Sequence, residues 1–111
     1  MRLSELKMSF SAIQSAVLVV IIGESVLQDR IIKILKDLGV TGYTLSQVQG
    51  AGSHGTRQGD LVGYNTNIEI KSVVSSETSE AIFDGLLQYQ SNHALIAFRQ
   101  NVDALSGFKI I

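Results

Sequence analysis

Seven consecutive apolar residues, Ala16-Val17-Leu18-Val19-Val20-Ile21-Ile22, constrain this chain more than any other feature. The run is rich in β-branched side chains, as expected of a strand covered on both faces or central in its sheet. It is far shorter than the roughly 20 residues that span a bilayer. Arg2 and Lys7 precede it in the order of a secretory signal, yet no A-x-A-like cleavage site follows, so the strand reading is preferred. A central strand needs neighbours on both sides and helices to cover it. The remaining chain must supply them.

The supply is legible in order. After Gly23, the residues Leu27, Ile31, Ile34/Leu35 and Leu38 recur at helical spacing, with Asp29, Arg30, Lys33, Lys36 and Asp37 on the other side and Gly39 as a stop. Residues 42–50 are β-prone between two glycines and predict a second strand. Residues 51–65, with Gly52, Gly55, Gly59 and Gly63, show neither helical nor alternating periodicity and predict a mobile loop. A loop of that length inside a compact domain is usually functional or disordered. Residues 66–75 predict a third strand. Ser75-Ser76-Glu77-Thr78 then offers helix caps, followed by Ala81, Ile82, Leu86 and Leu87 on one face of a second helix ending near Gln90. Residues 93–99 predict a fourth strand, and residues 107–111 a tail able to pair at an edge. The expected fold is an α+β, ferredoxin-like βαββαβ sandwich with an antiparallel sheet and a long loop between strands 2 and 3. Residues 1–12 read as a flexible extension and 13–111 as one domain, for which 111 residues at 45% hydrophobic suffice.

Nine Lys+Arg against ten Asp+Glu give a formal charge of -1, so composition supplies no general attraction to nucleic acid or an anionic membrane. Any anion site must be local. The lack of cysteine excludes disulfides, thiolate nucleophiles and Cys-ligated zinc and suits the cytoplasm. Gly50-Ala51-Gly52-Ser53-His54-Gly55 matches G-x-G-x-x-G, but a dinucleotide fingerprint must open a helix and this one opens a polar loop. The glycines can still form an anion-binding concavity, with Ser53 and Arg57 adding a hydroxyl and a charge; solvated loop charges are the plainer alternative. Val48-Gln49-Gly50 lacks the setting of an acylphosphatase phosphate loop. Nothing matches the RNP1 pattern of RNA-binding sheets, so Tyr43 and Phe98 are expected in the core. His54 and His93 have no metal-ligand spacing around them. Ser53, His54 and Asp60 form a nucleophile, base and acid on paper only, since a glycine-rich loop positions side chains poorly.

The pattern G-x-T-x-x-x-V-x-G-x-G at Gly42, Thr44, Val48, Gly50 and Gly52, after a strand and an amphipathic helix, resembles the second strand and T-loop base of PII and PII-like signalling proteins. The wording of residues 22–27 and 39–44 looks closer to the divergent PII-like branch, which includes cyanobacterial carbon-regulation members. The resemblance implies a homotrimeric, non-catalytic cytoplasmic regulator with a small-molecule effector, an adenine nucleotide, in each cleft between subunits. It also implies a target membrane transporter or enzyme, reached through loop 51–65. Nucleotide contacts carried over by position are Thr44, Gly50, Gly52, Ser53 and Arg57; His54, Gln58, Asp60 and Tyr64 fall on the partner-binding loop. Where the family has a basic, glycine-rich phosphate loop, residues 88–93 read Gln-Tyr-Gln-Ser-Asn-His, and the paired arginines of the family tail are missing. Among AMP, ADP, ATP and cyclic AMP, the ligands with less phosphate charge are therefore expected. Lys109 and Arg99 are the late cations, Arg99 being equally readable as a solvated strand end. Two alternatives remain: an oligomeric ferredoxin-like module that binds another metabolite, and a small phosphate-processing enzyme.

Overall fold

The computed structural model describes residues 12–50, 66–107 and 109–111. Strand β1 (Ile13–Glu24) passes through a short 3-10 turn (Ser25–Leu27) into α1 (Gln28–Asp37). Strands β2 (Thr44–Val48) and β3 (Asn67–Val74) follow, then α2 (Ser76–Gln90) and β4 (Leu95–Leu105). The sheet order is β2-β3-β1-β4, with every neighbouring pair antiparallel. This is the α+β arrangement expected from the sequence.

β1 pairs with β3 from Val17↔Val74 to Glu24↔Asn67 and with β4 from Ile13↔Leu105 to Gly23↔Leu95. The strand runs beyond the apolar heptad at both ends: β4 continues to Leu105 rather than stopping at Arg99 and pairs Ile13–Ser15, while Gly23 and Glu24 pair with Ile68 and Asn67 of β3. Ala12 already takes part, its carbonyl accepting the Ser106 N–H at 2.8 Å. Residues 1–11, the bulk of the expected extension, lie outside the described residues. Among the described residues of the tail, 109–111 form no edge strand; they are tied by the Ser75 N–H, which donates to the Ile111 carbonyl at 2.9 Å.

Both helices cover one face of the sheet. Val17, Val19 and Ile21 of β1, with Ile68, Ile70 and Val74 of β3, pack against Leu27, Ile31 and Leu35 of the α1 segment and Ile82 and Leu86 on α2. The inward face of α2 is set by Ser79, Ile82 and Leu86, not by Leu87, which is 65% exposed. Ser79 is a polar residue in that core, and its hydroxyl is fully partnered: it donates to the Ser76 carbonyl at 2.7 Å and accepts from Arg99 Nη1 at 2.8 Å. Arg99 is therefore a mid-strand brace between β4 and α2 rather than a solvated strand end. The Ser75 hydroxyl accepts the Thr78 N–H at 3.1 Å and caps α2 as its sequence predicts.

The opposite face holds Leu18, Val20 and Ile22 of β1. Cross-strand partners on that face are Leu18↔Val73, Val20↔Phe98 and Ile22↔Ile96. Val73, Phe98 and Ile96 are 38%, 45% and 59% exposed. Phe98, like the 39%-exposed Tyr43, is thus outside the core of the single chain. An apolar run with helices on one side only leaves a contiguous hydrophobic surface on the other.

Gly39 closes α1 with φ +83°, a left-handed conformation that costs other residues about 1–2 kcal/mol. Gly39→Ala is expected to lower unfolding stability by about 1 kcal/mol, measurable as a reduced urea midpoint at unchanged slope. An unchanged midpoint would contradict this account of the α1 stop.

Candidate functional site

A cleft of about 550 Å³ opens beside the start of β2. Its walls come from the connection after α1 (Val40, Thr41, Gly42, Tyr43), from Thr44, from the second half of β3 including Lys71 and Val73, and from Lys109 and Ile111 of the tail. Thr44 and Lys71 are direct cross-strand partners, so a hydroxyl and an ammonium share one face. The backbone around them is fixed from below: buried Ser72 donates from Oγ to the Gly42 carbonyl at 2.6 Å. Lys71 lies 3.4 Å from Glu69, with half its side chain exposed. That pairing is weak in solvent and leaves Lys71 able to meet an anion. Lys109, also exposed, brings a second positive charge to the same walls. The cleft therefore joins an apolar floor of Leu18, Val40 and Val74 to hydroxyls and two cations. That is the make-up of a site for a small, partly apolar anion.

The other end of β2 carries the loop. The last ladder pair before it is Val48↔Asn67. There the Ser25 and Thr66 hydroxyls are 2.8 Å apart and the Ser25 N–H donates to the Thr66 carbonyl at 3.2 Å. Next to them the Glu24 N–H donates to the Ala94 carbonyl at 3.1 Å, and Glu24 Oε1 accepts the Ala94 N–H at 3.3 Å. The loop foot, the start of the α1 segment and the turn before β4 are thus one hydrogen-bonded unit. In that turn, His93 Nδ1 is 3.2 Å from the Tyr89 carbonyl, and the Tyr89 ring has Arg30 above it at 5.6 Å. His93 is a half-buried turn residue beside α2. Among the described residues no group of three or more His, Cys, Asp and Glu side chains can hold a metal ion.

Of the residues singled out in the sequence, Thr44 lines the cleft. Gly50 stands at the loop foot, with nothing within 4 Å of where its Cβ would be. Gly52, Ser53, His54, Arg57, Gln58, Asp60 and Tyr64 lie outside the described residues. Thr44 and Gly50 are six residues apart along an extended segment, roughly 20 Å at strand rise. One chain does not bring them around one small ligand. Lys71 and Tyr43 were not singled out as site residues. Lys71 had a usable signal, the one cation of strand β3, whereas Tyr43 carried none.

Residues 16–105 match the family model of nitrogen regulatory protein P-II. The chain belongs to that family. No curated protein sequence matches this P-II family member. Among solved structures it is similar to a PII-like signaling protein of Thermus thermophilus, with 34% identity over 84% of this chain and 92% of that one and a TM-score of 0.70. It is similar also to CPII of Thiomonas intermedia bound to ADP and bicarbonate, with 25% identity over 83% and 90% of the two chains and a TM-score of 0.72. A further CPII structure, bound to ADP, AMP and bicarbonate, shares the fold at 22% identity over 83% and 90%, with a TM-score of 0.73. The chain is thus a PII-like signalling protein of ferredoxin-like fold.

Because Lys71 is half exposed and only weakly paired, Lys71→Ala is expected to change unfolding stability by less than about 0.5 kcal/mol. A loss well above that in chemical denaturation would make Lys71 a structural residue instead.

Proposed function

We propose that this P-II family protein is a non-catalytic regulator that binds an adenine nucleotide in a cleft completed by a neighbouring copy. It acts on a target through loop 51–65. The observation that carries the reading is the separation of Thr44 and Gly50 at opposite ends of β2, with cations at the Thr44 end. Residues of both ends can approach one nucleotide when they come from different chains. The hydrophobic sheet face of Leu18, Val20, Phe98 and Ile96 supports association of those chains, here a homotrimer. In this arrangement Thr44, Lys71 and Lys109 of one subunit serve the ligand with Gly50, Gly52, Ser53 and Arg57 of the next. His54, Gln58, Asp60 and Tyr64 remain for the target, a membrane transporter or an enzyme of the cytoplasm.

Charge narrows the ligand. The turn before β4 has no lysine, and its Ala94 amide is already engaged by the Glu24 carboxylate. A triphosphate needs more neutralisation than such a turn supplies. ADP and AMP suit the site better than ATP, and both accompany CPII, a relative that also holds bicarbonate. A second reading, a metabolite sensor without nucleotide, draws on that bicarbonate and on the apolar floor of the cleft.

Calorimetric titration of the purified protein with ADP, AMP, ATP, cyclic AMP and bicarbonate tests the proposal. Saturable binding of ADP or AMP is expected, weakened about tenfold or more in Lys71→Ala and in Arg57→Ala, as loss of a charged hydrogen bond would give. Binding of bicarbonate alone would favour the second reading. Light scattering is expected to give three times the 12.0 kDa chain mass, and Phe98→Asp to dissociate the assembly. A wild-type monomer would sink the shared cleft.

A further inference from the structure

The two-stranded ribbon of β1 and β4 runs on past the end of β3, and a second cleft, of about 610 Å³, lies along it. That volume is within the range of small-molecule sites. Cross-strand register sets what faces the cleft. Ser15 is opposite Asp103 and Val17 opposite Asn101, and alternation puts these four side chains on the helix side of the sheet, with Val19 and Ile21. Ser76, at the start of α2, and Ile110 belong to the other wall. The cleft thus faces away from the sheet surface of Leu18, Val20 and Phe98.

Its charge is opposite to that of the Thr44 cleft. Lys71 and Lys109 line the first, whereas among the described residues no Lys, Arg or His lines the second, and Asp103 gives it a carboxylate. Glu77, in the first turn of α2, adds a further negative charge that offsets the positive end of that helix. The side chains of Ser15, Ser76, Asn101 and Asp103 are exposed, and they make no hydrogen bond or ion pair with another described residue. A carboxylate only accepts hydrogen bonds, and the Asn101 carbonyl and the serine hydroxyls can accept as well. The complement of such a set is an ammonium, which has three donors and no acceptor. Val17 and the half-buried Ile110 offer apolar contact beside it.

We propose that the second cleft binds a small organic cation, a primary amine with a compact apolar body. The ammonium is held by Asp103 with Asn101 and Ser15, and the carbon chain lies on Val17 and Ile110. This site does not depend on the nucleotide reading of the Thr44 cleft. One chain then carries two clefts of opposite charge preference, so that an anion and a cation can be registered separately.

Amide NMR of the intact protein at fixed ionic strength tests the site, with n-butylammonium chloride as the probe and sodium butyrate and n-butanol as comparisons of equal carbon number. Saturable shifts with n-butylammonium are expected at Ser15, Ser76, Asn101 and Asp103, and none at those amides with butyrate. Asp103→Asn keeps the shape and removes the charge. It is expected to weaken n-butylammonium binding about fivefold or more, as loss of a charge-assisted hydrogen bond gives. Asn101→Asp adds a carboxylate and is expected to tighten binding, and n-butanol is expected to bind both variants and wild type equally weakly. Absence of saturable shifts with n-butylammonium overturns the site. Butyrate or n-butanol binding there as tightly as n-butylammonium overturns the preference for a cation, and either variant binding n-butylammonium as wild type does overturns the role given to the carboxylate.

Discussion

The pairing of β1 along both of its edges is the constraint on which the rest of the structure depends. β3 is hydrogen-bonded to it on one side and β4 on the other, and the ladder with β4 runs nearly its whole length. β3 is also internal, but its second neighbour is the short β2. The inward side chains of β1, Val17, Val19 and Ile21, are at most 5% exposed and share a core with residues from both helices. Burying each of them contributes on the order of 1.5–3 kcal/mol. Close approach is required at the far end of the strand, where a Cβ on Gly23 would lie 3.0 Å from Leu95 Cδ1. The outward residues Leu18, Val20 and Ile22 cannot be made polar without spoiling the surface they share with Val73, Phe98 and Ile96. The same strand that makes the core therefore also makes the surface on which copies can meet.

The two ends of the sheet differ in where β1 leaves its neighbours. At one end of the sheet, β3 stops at Val74 while β1 and β4 continue as a two-stranded ribbon to Ile13 and Leu105. The clefts and the tail sit around that step. At the other end the strands finish together, and Glu24, Ser25, Thr66 and Ala94 close the margin by hydrogen bonds. The cations of the clefted end are weakly committed. The polar groups of the closed end are engaged with one another. Uncommitted positive charge thus lies at the first end, and the foot of segment 51–65 at the second.

How far this was legible in the sequence depended on periodicity. The apolar heptad, the Leu27, Ile31 and Leu35 spacing and the Ser75 cap were readable because burial and capping each leave a local signature. The bounds of β4 were not, since Gln100, Asn101 and Asp103 are polar and belong to a strand only through pairing with β1. Arg99 read equally as a late cation or a solvated strand end because its partner Ser79 is 20 residues away and was itself hidden by a helical pattern that pointed to Leu87. Phe98 and Tyr43 were expected inside because hydrophobicity does not distinguish a chain's own core from a face left for another chain. Thr44 was singled out through a motif, whereas Lys71 and the tail line the same cleft only through cross-strand register and a turn at Gly107, φ +110°.

The hydrogen-bonded margin at the loop foot has a consequence for how this architecture can vary. The two ends of segment 51–65 leave from adjacent strands just past the Val48↔Asn67 rung, and Thr66 is held by Ser25. For a flexible segment closed across such a gap, doubling its length costs only about 0.6 kcal/mol. Segment 51–65 is therefore bounded so that its length can change while the strands that carry it, and the cleft walls anchored on them at Thr44 and Lys71, keep their register.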